Sequence, residues 1–97
     1  MESEKRARAR RIYNKIIVLE RSDIVSDQVR NYRWDGLILD ISQAGLGLNT
    51  DHHLREGEIV KLFLPLRELD ISVPVMAEVK WSKRISSTCQ SGLRFLS

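Results

Sequence analysis

Ile71-Ser72-Val73-Pro74-Val75-Met76-Ala77-Glu78-Val79-Lys80-Trp81-Ser82 decides the fold, because one period runs through all of it. Ile71, Val73, Val75, Ala77, Val79 and Trp81 fall at strict two-residue spacing, the repeat that sends alternate side chains to one face of a strand. A helix burying one stripe would place its apolar residues three and four apart. The stretch therefore reads as a strand with one buried face, and Trp81 falls on the core side of it. Pro74 lies on the opposite phase and has no N–H for a ladder, which predicts a sheet edge or a bulge at that point.

Working outward, Ile59 to Leu66 repeats the alternation with Val60, Leu62, Leu64 and Leu66 and ends near Pro65, and Arg67 to Asp70 reads as a short turn. After the central stretch, Ile85 to Gln90 reads as a polar connection and Leu93 to Leu96 as a closing strand. Before it, Gly45 to Thr50 places Leu46 and Leu48 on one face, and the loop Asp51 to Gly57 ends where glycine makes a positive φ cheap. Tyr32 to Ile41 is an aromatic and branched run, with Asp35-Gly36 reading as a bulge or kink inside it. Ile16 to Leu19 is a short apolar block that begins a first strand at Lys15, and Glu20 to Asp23 reads as a polar turn after it. Residues 24–31 fit either a continued strand or an irregular excursion. Six short strands with no helical stripe predict an all-β domain, most economically a small six-stranded antiparallel barrel, since closure removes sheet edges.

A chain of 97 residues supports one core. Its net charge of +3 is unevenly placed: residues 1–15 carry six basic and two acidic side chains, whereas the remainder carries ten basic and eleven acidic. Residues 1–14 show neither period and read as a flexible basic arm ahead of a barrel domain over 15–97, and such an arm suits an anionic partner. The same composition equally describes a solvated tail. Cys89 is the only cysteine, so the sequence holds no disulfide framework and no zinc-ligand spacing, and a reducing compartment is the simpler home. The basic start lacks the apolar core of a signal peptide, and no apolar run is long enough to span a bilayer, which gives the expectation of a cytoplasmic protein.

Catalytic and metal chemistry find little support. Ser42 has no evident base, and Cys89 sits in Ser87-Thr88-Cys89-Gln90 with nothing adjacent to depress its thiol pKa. Adjacent His52 and His53 read as a surface loop rather than a metal site. The expectation is a non-enzyme with no metal and no cofactor. Nucleic acid is a poor fit as a partner, because the few aromatic residues form no paired stacking platform.

Asp40-Ile41-Ser42-Gln43-Ala44-Gly45 holds the remaining chemistry. A carboxylate and a hydroxyl two residues apart on a strand entering a turn share a face and can accept from an N–H edge such as that of guanine. Nearby arginines can grip phosphate or the guanine O6 and N7 acceptors. Equally, Asp and Ser commonly satisfy the backbone of a tight turn in which glycine supplies the special φ.

This hexad resembles the D/N-x-S-x-x-G motif of the PilZ domain family. Leu54-Arg55-Glu56-Gly57 followed by Ile59 to Pro65 resembles that family's glycine turn and Leu-Pro strand, and Ala77-Glu78-Val79-Lys80-Trp81 before Gly92-Leu93-Arg94-Phe95 resembles its closing strands. For the family's R-x-x-x-R motif, Arg6 to Arg10 fits the letters, while Arg10-Arg11 with Lys15 fits the position flush against Ile16, which is the register preferred here. The resemblance implies a six-stranded barrel that binds cyclic di-GMP in bacterial second-messenger signalling, with Arg10, Arg11 and Lys15 on phosphate and guanine and with Asp40, Ser42 and Gly45 on the guanine edge. Arg6, Arg8 and Trp81 are possible further contacts. Lys15 replaces an arginine fork with a point charge. The implied partners are cyclic di-GMP and a downstream protein or fused output domain. The alternative is an adaptor of the same fold that binds no nucleotide and acts through protein contacts in pilus or flagellar control.

Overall fold

The computed structural model describes residues 11–66 and 69–96, with side chains from Asn14 onward. Six strands follow in order: β1 (Arg11–Val25), β2 (Gln28–Ile41), β3 (Gly45–Thr50), β4 (Ile59–Leu66), β5 (Ile71–Ile85) and β6 (Thr88–Phe95). They close into one antiparallel barrel in the spatial order β1-β2-β3-β6-β5-β4, so the expected all-β barrel is the observed fold. The described residues contain no α-helix. Residues 1–10, with Arg6, Arg8 and Arg10 of the basic arm, lie outside them.

Alternation explains how the barrel fills. Leu19, Ile38, Leu48, Leu62 and Val79 turn inward from five strands and are fully buried, and Leu54 enters the same core from the β3–β4 loop. Burying a leucine side chain is worth about 1.5–3 kcal/mol, so these positions outweigh the weak local preferences of the polar segments between them. Closure comes from Val18, Leu19 and Glu20 of β1 pairing with Phe63, Leu62 and Lys61 of β4. Pro74 sits as expected on an open side: it shares its phase with Met76, whose carbonyl accepts from Leu96 N, and pairing with β6 begins only at Ala77.

Several strand boundaries differ from the sequence reading. Glu20 to Asp23 is strand, not turn, and residues 24 and 25 continue it, so that β1 and β2 form one long hairpin paired from Ile24↔Val29 back to Leu19↔Trp34. The turn is Ser26-Asp27, both in the left-handed region at φ 53° and 64°, the two-residue geometry that suits the twist of paired strands. Polar composition misled here because the hairpin runs beyond the barrel, where both faces meet water. At the other hairpin, β5 and β6 meet at Ser86-Ser87 rather than through a longer polar connection. Strand already exists at Arg11, ahead of the apolar block.

The irregularity expected at Asp35-Gly36 lies instead between Ile38 and Asp40. Gly36 is regular strand, and its absent side chain is a packing requirement: a Cβ there would lie 2.7 Å from Leu19 Cδ1 and 2.9 Å from Leu48 Cδ1. Gly57 has the expected positive φ, 90°.

Candidate ligand-binding site

Beyond the irregularity at Leu39, Asp40 pairs with Gly47 of β3 and with Ile12 of β1. Antiparallel partners share a face. Leu46 and Leu48 are the inward residues of β3, so Gly47 and Asp40 belong to the outer surface. Gly47 N donates to Asp40 Oδ1 over 3.1 Å, and a Cβ on Gly47 would lie 2.9 Å from that oxygen. The carboxylate thus rests against bare backbone.

Pairing carries the same row further. Gly47 pairs with Gly92 of β6, and Gly92 pairs with Trp81 of β5. Trp81 departs from the core phase assigned to it, because a register shift between Val79 and Trp81 turns the indole outward, where it is 48% exposed. The indole lies down on Gly92, whose Cβ would fall 2.1 Å from Trp81 Nε1. A carboxylate, two buried glycines and an exposed indole therefore line up across four strands, about 14 Å from β2 to β5 at ordinary strand spacing. Two residues along β3 and β6, Arg94 pairs with Gly45 and Glu78 on the same surface and bridges to Glu78 over 3.6 Å.

Ser42 and Gly45 close the adjoining turn. Ser42 N donates to Gly45 O over 2.8 Å, and Ser42 Oγ accepts from Ala44 N over 3.3 Å. A Cβ on Gly45 would meet Leu93 O at 1.9 Å, so glycine is required there by the β6 backbone beneath it. The turn reading of these two residues is thereby realised, with Asp40 held beside them.

The cationic residues are distributed differently. Arg11 pairs with Ile41, close along the strand to Asp40, although its side chain lies outside the described atoms. Lys15 pairs with Ile38 after a register shift between Ile12 and Lys15. Ile38 is a core residue, so half-buried Lys15 stands on the opposite face of the ladder from Asp40.

Elsewhere, one sequence reading changes. Cys89 is buried in β6 with Sγ 3.6 Å from Ser91 Oγ. Burial pushes its thiol pKa up, but hydrogen bonding from the Leu54 backbone and from the Ser91 and Ser82 hydroxyls more than offsets this, and the net direction is down. Leu54 and Ser82 reach Cys89 only through the fold, which is why no local signal disclosed them. His52 is exposed, as a loop residue should be, yet stacks on Trp34 with centroids 4.9 Å apart. Among the described residues, no group of three or more His, Cys, Asp and Glu side chains is placed to hold a metal ion. No helix among them is long and apolar enough to cross a membrane.

Residues 4–97 match the family model of the PilZ domain. The chain belongs to the PilZ domain family. A search of curated proteins returned no match. PilZ domains are non-catalytic binding domains with a cyclic di-GMP receptor and regulatory role, and the Asp40 to Gly45 turn of this PilZ domain has the motif at the mouth of an outer-surface row. Sequence reasoning missed Gly47 and Gly92 as parts of that row. The available signal was glycine inside a strand, which marks close approach by another group, but only the register between strands tells which group approaches.

Proposed function

We propose that this chain is a cyclic di-GMP receptor module, in which the basic N-terminal arm clamps the nucleotide against the Asp40-x-Ser42-x-x-Gly45 turn. The observation that carries the reading is the outer row in which Asp40 and Trp81 flank Gly47 and Gly92, beside the start of β1. The Asp40 carboxylate accepts from the guanine N–H edge, Ser42 and Gly45 hold the turn that presents it, and the Trp81 indole offers a flat apolar surface to the base. Arg10 and Arg11 neutralise phosphate and meet the guanine acceptors, with Arg6 and Arg8 as further cations, whereas Lys15, on the other face of the ladder from Asp40, leaves that work to them. Closure of the arm over the ligand changes the surface offered to a downstream protein, which is the regulatory output.

Isothermal titration with cyclic di-GMP, beside a GTP control, tests this. Heat with the first nucleotide and none with the second is expected. Asp40→Ala and Arg11→Ala should each weaken binding by roughly 10- to 150-fold, the equivalent of a charge-assisted hydrogen bond of about 1.5–3 kcal/mol. Urea denaturation of both variants separates a lost contact from a lost fold. A flat titration of the natural chain overturns the reading and leaves the adaptor in its place.

A further inference from the structure

The part of β2 that extends past the barrel has one unused edge. β3 pairs with β2 only from Gly36 onward, whereas β1 pairs with it all the way to Gln28. The direction of the free groups follows from Thr50 at the end of β3, whose Oγ1 donates to Asp35 O. Asp35 therefore turns its backbone toward the β3 side, and so, two residues apart in an unbroken register, do Val29, Asn31 and Arg33. Beyond the end of β3, their N–H and C=O groups meet no strand among the described residues. A regular edge of this length is a template for another strand.

We propose that this edge is a self-association surface, on which the β2 segment of a second copy pairs antiparallel about a two-fold axis at Asn31. Antiparallel partners share a face, so such an axis must pass through a residue. At Arg30 it would oppose two guanidinium groups and centre on a residue whose backbone serves β1. At Asn31 it pairs the free backbone groups of Val29, Asn31 and Arg33 with those of Arg33, Asn31 and Val29 of the second copy. Side chains agree with that register. Arg30 then stands beside Tyr32 of the second copy, a cation over an aromatic face in duplicate. Val29 and Tyr32 are 69% and 41% exposed, and Ile24, which pairs with Val29, is 77% exposed. Residues 20–33 carry three basic and three acidic side chains, so two copies meet without net repulsion. The inference is independent of nucleotide binding.

Sedimentation equilibrium of the full chain without nucleotide should give a dimer fraction that rises with protein concentration. Asn31→Pro removes the N–H at the axis while leaving the β1 ladder intact, and should weaken the dimer by at least about tenfold. For register, Asn31→Cys puts two thiols at a hydrogen-bonded pair with Cα atoms about 5.5 Å apart, inside the disulfide range. Mild oxidation should crosslink that variant and leave Arg30→Cys uncrosslinked, with buried Cys89 present in both. A monomer at every concentration, or an Asn31→Pro dimer as tight as the natural one, overturns the proposal. Equal crosslinking of the two cysteine variants overturns the register.

Discussion

A methyl group on Gly45 would press on the Leu93 carbonyl at 1.9 Å, with the Leu93 carbonyl carbon and Arg94 Cα also within 3.0 Å. All three are backbone atoms, so the β3–β6 ladder would have to part. On Gly92 the obstruction is the Trp81 indole at 2.1 Å, and on Gly47 it is the tip of Asp40 at 2.9 Å. Side chains can swing aside where backbone cannot. Alanine should therefore destabilise in the order Gly45, Gly92, Gly47, with overpacking costs of about 1–3 kcal/mol and more at Gly45, measured by urea denaturation. Function should follow a different order. Gly92→Ala and Gly47→Ala displace the indole and the carboxylate, so cyclic di-GMP titration should detect both even where the fold holds. A Gly45 variant as stable as the natural chain would show that the close approach to Leu93 is not the reason for glycine there.

At the scale of elements, one-sided burial made strands legible and two-sided exposure hid them. The 71–82 repeat puts Ala77 and Val79 on the core, the Ile59 to Leu66 alternation puts Val60 and Leu62 there, and both are strands as read. From Glu20 to Arg33 no such contrast exists, because the hairpin leaves the barrel and its pairing is visible only in three dimensions. Alternation places Trp81 on the core face because a bulge has no signature in it: the bulge shifts the phase without changing the residue types. The ion pairs on the hairpin base follow from register in the same way. Glu20, nearly buried, accepts from Arg33 Nε at 2.7 Å and meets Lys61 Nζ at 3.5 Å. The Arg33 hydrogen bond holds the Glu20 carboxyl below its ordinary value of 4.5, burial opposes that, and Lys61 assists. A depressed folded-state pKa means that the stabilisation is complete above the unfolded value and is lost as pH falls from about 4.5 through the folded one. Glu20→Gln should accordingly lower the urea midpoint at neutral pH and flatten its decline in acid. An acid limb as steep as that of the natural chain would assign the effect to other carboxylates.

For the whole molecule, closure is the least secure step. The barrel is joined on one side by β3 and β6, paired without interruption from Gly45↔Arg94 to Thr50↔Cys89, and on the other by the short meeting of Val18 to Glu20 with Lys61 to Phe63. Beyond Glu20 the strands part, leaving an open groove of about 480 Å³ between Arg21 to Asp23 and Arg55 to Ile59. Arg21 spans it to Glu58 at 2.9 Å, but in a part-buried pair desolvation offsets much of the attraction. Leu19 and Leu62 beneath the seam are fully buried, so opening it exposes core and is limited by their burial rather than by the ladder. Sub-global opening should start at this seam. Native-state hydrogen exchange reads it directly, because the even-numbered residues of β1 turn their amides toward β4. The amides of Val18, Glu20, Lys61 and Phe63 should exchange at a lower free energy than those of Leu46 and Leu48, which face β6. Leu62→Ala, at about 2–5 kcal/mol, should then accelerate exchange at the seam before it does so in the β3–β6 ladder. Uniform protection across both ladders, unchanged in order by that substitution, would mean that the barrel opens only as a unit.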